Sequence, residues 1–345
     1  MRSTLTNDAG LHYFPCLLTR ITVAPFYQEP FPPDILIAVT LPDLLTDLAD
    51  ADKPVTYSGL LQLNDLPVEG LAELRIAWPK LSTERRREVV RKLVELADDN
   101  VELNFNSVFK SCLSDKDDVI RQMAAKGLWE TEDRSMIRPL VKLLEDDQYP
   151  EVRAAAAMSL KNFSMLAQNG KLLAKDCDRV RDALLAAVNS PTEDVDVRRR
   201  ALEAVASFNT AETNSAVREA YESDNPTLVQ SAVYGMGQSS NPAWLPTVAD
   251  EMSNPLPAVR FEAATACGLL GDERIVPRLV RLLRDDDSEV RLASIKALGI
   301  IGGPVAKNVV QQHLSDDDEA IEEAAREALI NLEFDEDPLN YQFGA

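Results

Sequence analysis

Residues 285–299 read DDDSEVRLASIKALG, and residues 254–268 read NPLPAVRFEAATACG. In both stretches an apolar residue followed by arginine opens the helical part. When this apolar residue is taken as an anchor, the anchors along the second half of the chain are Val197, Leu228, Val259, Val290 and Ile321. Consecutive anchors are 31 residues apart. A fixed period between about 20 and 50 residues is typical of a stacked repeat protein.

The upstream anchors follow the same spacing with one exception. Val89 and Ile120 are 31 residues apart, and Ile120 and Val152 are 32 apart. The next interval, from Val152 to Val197, is 45 residues, so this repeat holds about fourteen extra residues. We expect the insertion, near 162–176, to form a protruding loop or to lengthen one helix, because stacked surfaces cannot shift register without losing burial.

Each repeat is predicted to be a pair of helices joined by an acidic turn. Val290, Leu298 and Ile301 have the spacing of an amphipathic helix that is buried along one side, and the preceding segment 275–283 has an apolar face of its own. Side-chain oxygens in the turn between them, 285–288, can cap the next helix. Glycines are expected just past the anchored helices, where a positive φ is easiest to place, at Gly237, Gly271, Gly302 and Gly303.

The chain repeats an acidic turn followed by Val-Arg, Ala-Ala and Leu-Gly at a period near 31. This pattern resembles the short bacterial HEAT repeats, the group often called phycobilisome-lyase HEAT-like. The resemblance spans residues 66–333, about eight helix pairs. It implies an all-α fold, a right-handed α–α superhelix of the armadillo type. That family includes scaffolds, transport adaptors, lyase-type chaperones, a metal hydroxylase and DNA-repair proteins, so the resemblance indicates the fold far more narrowly than the function.

The two ends of the chain do not follow the repeat. Residues 1–65 are rich in proline and aromatic residues and form a predicted N-terminal arm. One interpretation is an arm that docks onto the first repeats through its aromatic side chains. The other is a partly disordered segment with one short helix near Leu41–Leu48; its high hydrophobicity favours the docked arm. Residues 334–345 are expected to be an acidic C-terminal tail.

The charge balance weighs against nucleic acid as a partner. The chain has 36 basic and 57 acidic residues, a net charge of −21, and this potential repels a duplex. Two basic runs, 85–92 and 198–200, are local exceptions. Their simplest interpretation is solvated helix faces, with the arginine after each anchor paired to a carboxylate of a neighbouring turn. The alternative is a local site for an anionic partner such as an acidic peptide or RNA.

Residue types that catalyse reactions or bind metals are sparse. The two histidines, His12 and His313, cannot build the metal centre of the hydroxylase branch of the family, and the four cysteines lack zinc spacing. Cys112 and Cys267 are expected to be small core residues, and a reduced compartment, the cytoplasm, is the default location. No membrane span, signal peptide or phosphate-binding loop is recognised. We therefore expect no cofactor, no metal and no catalysis.

The candidate site is a surface on the anchored helices. Positions two and six residues after the anchor point away from the buried stripe. In the middle repeats these positions include the apolar residues Met158, Tyr234, Phe261 and Leu292, where solvent would normally demand charge. The candidate partner-binding residues are Met158, Arg199, Tyr234, Phe261 and Leu292. Either superhelical twist buries the apolar ones between repeats, or they line a groove on the concave face.

We predict a non-catalytic scaffold or adaptor that holds another protein, through a basic segment, on the concave face of a HEAT solenoid. One alternative is a bilin-lyase-like chaperone that handles an apoprotein or a tetrapyrrole, as the resemblance allows. A second is local binding of an anionic ligand or nucleic acid through the arginine clusters.

Overall fold

A computed structural model of the chain describes residues 40–336, with side chains through residue 333. Within this range all regular secondary structure is helical. The helices are α1 Leu41–Ala49, α2 Tyr57–Leu60, α3 Val68–Ala77, α4 Thr83–Asp99, α5 Asn106–Cys112, α6 Asp118–Lys126, α7 Ile137–Asp146, α8 Pro150–Gln168, α9 Ala174–Asn189, α10 Val195–Val205, α11 Ala211–Tyr221, α12 Pro226–Gln238, α13 Leu245–Glu251, α14 Pro257–Leu270, α15 Val276–Leu282, α16 Ser288–Ile301, α17 Gly303–Gln312 and α18 Glu319–Glu336. Short 3₁₀ turns precede several of them.

The helices stack in pairs. From α5/α6 to α17/α18, seven regular pairs each consist of a first helix packed on a second helix. The second helices α4, α6, α8, α10, α12, α14, α16 and α18 pack on one another in that order. The first pair is irregular. Its second helix is α4, and the preceding helix, α3, packs on α1 and on α5. Because these contacts run between consecutive pairs, the protein is an all-α solenoid, as the sequence predicts.

The eight anchors lie on the eight second helices, and each is at most 4% exposed. The turns before these helices cap them. The Asp287 carboxylate accepts from the backbone N–H groups of Glu289 and Val290, and Asp117 accepts from that of Ile120. Each such bond satisfies an N–H group that has no partner within the helix. The predicted capping role of the acidic turns is confirmed at these positions.

Glycine has two different roles along the stack. Gly271 and Gly302 end α14 and α16 with φ values of +67° and +71°, as predicted. Gly237 was expected past the end of its helix, and this was wrong, because it lies within α12. A Cβ on Gly237 would lie 2.6 Å from the Cα of Ala266 on α14. The missing side chain therefore lets consecutive second helices approach closely.

The same close approach recurs one and two repeats later. A Cβ on Gly268 would lie 2.9 Å from the Cα of Ala297, and one on Gly299 would lie 2.5 Å from the Cβ of Ala328. These glycines occupy the register of Gly237, nine residues after their anchors. Small residues at this register thus set the spacing between the second helices of the last four pairs.

Ion pairs link successive repeats on the side of the turns. The arginine after the anchor reaches an acidic side chain in the next repeat at 2.6–3.1 Å in four places: Arg121–Asp147, Arg153–Glu193, Arg260–Asp285 and Arg291–Asp318. Each of these arginines also donates to a carbonyl of its own turn. The predicted pairing of this arginine with a neighbouring turn is confirmed. The series is interrupted at α10 and α12, because Arg198 donates to Val188 O and α12 carries Val229 at this position.

The fourteen extra residues lengthen both helices around one turn. Helix α8 runs for 19 residues and α9 for 16. The C-terminal part of α8 passes the shorter α10 and reaches α12, where Gln168 Nε2 donates to Gln238 O and to Ser240 Oγ, both at 3.2 Å. Phe163, in the same part of α8, is fully buried. The insertion therefore joins two pairs that are not neighbours in the stack.

Residues 40–65 of the predicted arm pack on the first repeats. Leu44 and Leu48 of α1 are buried, and α1 and α2 contact α3 and α4. Arg85 Nη2 donates to three backbone carbonyls that follow α1. The aromatic residues of the arm between positions 13 and 31 lie outside the described residues, as do residues 337–345 of the tail. Cys112 and Cys267 are buried, which confirms them as core residues.

Candidate functional site

The five candidate residues lie on five consecutive second helices. Met158 is on α8, Arg199 on α10, Tyr234 on α12, Phe261 on α14 and Leu292 on α16. Each is half-buried. Arg199, Phe261 and Leu292 follow their anchors by two residues, and Met158 and Tyr234 follow theirs by six. These two positions are four residues apart and lie on the same side of a helix. Because the helices pack side by side, the five residues form a row across the stack. We call this row and the side chains that contact it the second-helix face.

Tyr234 is held by the lengthened helix α8. Lys161 Nζ hydrogen-bonds to the Tyr234 hydroxyl and lies 4.8 Å from the centroid of the ring. A cation placed over an aromatic face is attracted by the ring's quadrupole. The contact fixes the orientation of Tyr234 and covers part of its ring. The lengthened helix α8 thus shapes the middle of the row, which the sequence pattern did not indicate.

Arg199 is neutralised within the protein. It forms ion pairs with Asp196 at 2.5 Å and with Glu203 at 3.4 Å. Glu203 also pairs with Arg200 at 3.0 Å and accepts a hydrogen bond from Ser231 Oγ at 2.7 Å. The hydrogen bond crosses from α10 to α12, where the arginine series between turns is interrupted. Arg199 therefore belongs to a local network of paired charges on the second-helix face.

Glu262, next to Phe261, is a buried carboxyl in the same region. It is 9% exposed, and Gln230 Nε2 donates to its Oε1 at 3.2 Å. Burial raises the pKa of Glu262 to about 7, although the hydrogen bond from Gln230 acts in the opposite direction. The charge of Glu203 raises this pKa further. A group that titrates near neutral pH is a common feature of functional sites.

Sequence reasoning missed Lys161 and Glu262. A signal for Glu262 existed at the position three residues after the anchor, which faces the buried side. The repeats that flank the centre hold Ala155, Ala293 and Ala324 there, whereas the three central repeats hold Arg200, Ser231 and Glu262. Polar residues in a buried register mark a place where helices contact through hydrogen bonds and not through apolar packing. Lys161 has no such signal, because its role depends on the length of α8.

Charged and polar residues occupy both ends of the row. At the N-terminal end α6 carries Gln122 and Lys126, both half-buried, and at the C-terminal end α18 carries Glu323 and Glu327, both exposed. The apolar members of the row are therefore confined to the middle of the stack. This distribution follows the prediction for a solenoid whose terminal repeats face water.

The arginine runs are engaged in intramolecular contacts. Arg86 pairs with Asp115 and Arg87 with Asp117, while Arg198 Nε donates to Val188 O at 3.0 Å. Charges that are already paired attract an external anion weakly, because binding must compete with the internal partner. The runs at 85–92 and 198–200 thus act as structural ties between repeats and as parts of the second-helix face.

The described part of the chain contains neither a cluster of metal-ligating side chains nor a membrane-spanning helix. Among the side chains between residues 40 and 333, no three His, Cys, Asp or Glu residues gather as metal ligands. His313 contacts the carbonyl of Val309 through Nδ1 at 2.8 Å. No helix in the described part of the chain is long and apolar enough to span a membrane.

The chain belongs to the HEAT-repeat family. The sequence model of the family described as HEAT repeats matches residues 79–161, 106–195 and 245–330, which together cover more than half of the chain. This match confirms the resemblance inferred from the repeat pattern. Among curated proteins, none matches the sequence.

Solved structures with a similar arrangement of helices share little sequence with this chain. Human deoxyhypusine hydroxylase in complex with glycerol is 17% identical, with 85% of this chain and 96% of that chain covered and a TM-score of 0.33. The complex of CpcE and CpcF of phycocyanin lyase from Nostoc sp. PCC7120 is 17% identical, with coverages of 65% and 86% and a TM-score of 0.49. The Escherichia coli protein YibA is 18% identical, with coverages of 73% and 97% and a TM-score of 0.41.

Proposed function

We propose that this protein is a non-catalytic scaffold or adaptor that holds a basic segment of a partner protein on its second-helix face. The observation that carries the proposal is the row of half-buried side chains in which Met158, Tyr234, Phe261 and Leu292 are the apolar members, on α8, α12, α14 and α16. Solenoid proteins use such extended surfaces, built from side chains of successive repeats, to bind partners.

Half-buried aromatic and aliphatic side chains are suited to act as anchors. Tyr234 is already oriented by Lys161, and Phe261 lies on a helix that is packed on both sides, by α12 and by α16. Side chains that are rigid before binding lose little conformational entropy when a partner covers them. Anchors of this kind contribute most of the affinity of typical protein interfaces.

The charge of the protein favours a basic partner. The net charge is −21, and the arginines of the face are offset by Glu203 and Asp196. Exposed Glu323 and Glu327 extend the row at its C-terminal end. A negative potential speeds encounter with a cationic segment and repels anionic competitors. Free, buried Cys112 and Cys267 agree with a reducing compartment, and we propose the cytoplasm.

A labelled amphipathic helical peptide of about 18 residues, with leucines on one face and lysines elsewhere, tests the proposal by fluorescence anisotropy. We expect Phe261→Ala and Leu292→Ala each to weaken binding by about 1–3 kcal/mol while the helical circular dichroism signal is unchanged. The matched control is Ile76→Ala, which removes an exposed aliphatic side chain from α3 and should leave the affinity unchanged.

A second peptide with every lysine replaced by glutamate tests the partner's charge. It should bind much more weakly, and added salt should slow association of the lysine peptide more than it speeds dissociation. Equal binding of both peptides would contradict the proposed charge complementarity. If both alanine variants bound the lysine peptide as tightly as the unmodified protein, the second-helix face would not be the binding surface.

A further inference from the structure

A surface pocket of about 260 Å³ lies among the first helices, near the insertion. It is lined by Arg134, Ser135, Arg138, Lys175, Asp176 and Arg179. Four of these six side chains are basic, although acidic residues outnumber basic ones in the chain as a whole. The pocket is smaller than the 300–1,000 Å³ or so of sites for drug-sized molecules, so it suits a compact group.

The insertion builds one wall of this pocket. The neighbouring first helices α7 and α11 have 10 and 11 residues, whereas α9 has 16 because it begins earlier. The early turns of α9 supply Lys175, Asp176 and Arg179. The opposite wall consists of Arg134 and Ser135, in the 3₁₀ turn before α7, and Arg138, at the start of α7 in the preceding pair. In repeat proteins, insertions of this kind often contribute to a binding face.

One carboxylate holds two of the basic side chains in place. Arg134 Nε donates to Asp176 Oδ2 at 2.9 Å, and Arg179 Nη1 lies 3.6 Å from Asp176 Oδ1. Asp176 is 6% exposed, and the hydrogen bond from Arg134 lowers its pKa, so it stays ionised at neutral pH. It therefore orients the two guanidinium groups at the pocket.

The other two basic side chains at the pocket are Arg138 and Lys175. Within residues 40–333, neither Arg138 nor Lys175 has a carboxylate within salt-bridge distance, and both are exposed. Lys110 Nζ adds a further ammonium group, since it donates to Ser135 Oγ at 2.6 Å. Asp133 also hydrogen-bonds to Ser135 and offsets the charge of Lys110. The six lining residues thus carry three positive charges in excess.

We propose that this pocket binds a phosphate monoester dianion, either a small phosphate compound or a phosphorylated side chain of another protein. Guanidinium groups donate in a planar fork that matches phosphate oxygens, and lysine adds a compact charge. A phosphoryl group carries close to two negative charges and three acceptor oxygens, which fits the excess charge and the number of donors. A ligand with a single carboxylate group would leave much of the positive charge of the pocket unbalanced.

An extended nucleic acid strand fits this surface less well. A strand places a charge at each phosphate, and phosphates outside the pocket would face the negative potential of the rest of the protein. A single phosphoryl group enters the basic pocket without placing further charges along that surface. Single-stranded RNA is therefore a comparison ligand in the test.

The test measures binding of four probes to the full chain by calorimetry. The probes are inorganic phosphate, a Gly-Ser-rich peptide with one phosphoserine, its unphosphorylated form, and a short single-stranded RNA. The variant Arg138→Ala/Lys175→Ala removes the two exposed, unpaired basic groups and keeps the pairs of Asp176. The control Arg281→Ala/Arg284→Ala removes the same charge from two exposed arginines on and just after α15.

We expect phosphate or the phosphoserine peptide to bind, and the pocket variant to weaken this binding at least about tenfold while the control changes it less than about twofold. Tighter binding of the phosphoserine peptide than of inorganic phosphate identifies a modified protein as the source. Binding of inorganic phosphate alone identifies a small compound. Absence of binding by both, equal effects of the two double variants, or binding of RNA alone would overturn the proposal.

Discussion

The close contact between α16 and α18 predicts that a Gly→Ala substitution in α16 lowers stability, although helix propensity alone would raise it. In an exposed helix, Gly→Ala stabilises by about 1 kcal/mol. At Gly299 the new methyl carbon would lie 2.5 Å from the Cβ and 3.0 Å from the Cα of Ala328. Both positions are fixed to helix backbones, so the overlap cannot be relieved by rotating a side chain. We expect Gly299→Ala to destabilise the protein.

The magnitude follows from two opposing terms. Overpacking a well-packed core costs about 1–3 kcal/mol, and here the two helices are also held by the buried anchors Val290 and Ile321. After the propensity gain is subtracted, the expected net loss is about 1–2 kcal/mol. Gly235→Ala on α12 is the comparison, because its nearest neighbour is the Cβ of Ala206 at 3.0 Å and the next atom is 3.7 Å away. We expect Gly235→Ala to lower the free energy of unfolding by less than Gly299→Ala does.

Urea unfolding followed by circular dichroism measures these effects, with the m-value as a check that the transition is unchanged. The double variant Gly299→Ala/Ala328→Gly moves the methyl group from one helix to the other. We expect it to recover about 1 kcal/mol relative to the sum of the single variants. A neutral or stabilising Gly299→Ala, together with additive effects in the double variant, would refute the close approach of the two helices.

Three further variants test other features of the structure. Arg260→Ala should lower the free energy of unfolding, measured in urea, by about 2–4 kcal/mol, because it leaves the largely buried Asp285 carboxylate unpaired. The control Arg274→Ala removes an exposed arginine and should change the free energy of unfolding little. Equal losses in the two variants would contradict a stabilising role of the buried pair. Burial raises the pKa of Glu262 from 4.5 to about 7, so the folded state binds the proton more tightly and stability should fall as pH rises through 4.5–7. Glu262→Gln should remove this loss, on the order of 2–4 kcal/mol, from unfolding curves at pH 5 and 8, and an unchanged pH dependence would show that the group is solvated. Replacing residues 167–175 with a Gly-Ser linker should lower stability by roughly 1–2 kcal/mol with a single transition retained, whereas loss of cooperative unfolding would assign the segment to the core.

The repeat architecture could be predicted because its signals are local and recur. Each anchor, acidic turn and following arginine lies within a few residues of the others, and the same pattern recurs along the chain. Val290 and Asp287, for example, fulfil the same roles as Ile120 and Asp117. The pairing of Arg260 with the next turn also follows, because the period fixes which turn lies beside it.

The features that escaped prediction depend on contacts between distant repeats. Lys161 reaches Tyr234, 73 residues away, only because α8 is longer than α10. Gly237 was assigned to a helix end because a glycine there and a glycine at a close helix contact look alike in sequence. The basic pocket combines Arg134 with Asp176, and their separation of 42 residues exceeds the normal repeat. Spacing alone cannot indicate such contacts when the insertion changes the length of two helices.

Photo-crosslinking tests the proposed second-helix face most directly. The photoreactive residue p-benzoylphenylalanine would replace Phe261 on α14 in one protein and Ile76 on α3 in another, and each would be irradiated with the basic amphipathic peptide. We expect a crosslink from position 261 that an excess of unlabelled peptide abolishes, and no specific crosslink from position 76. Crosslinking from position 76 alone, or equally from both positions, would contradict binding on the second-helix face.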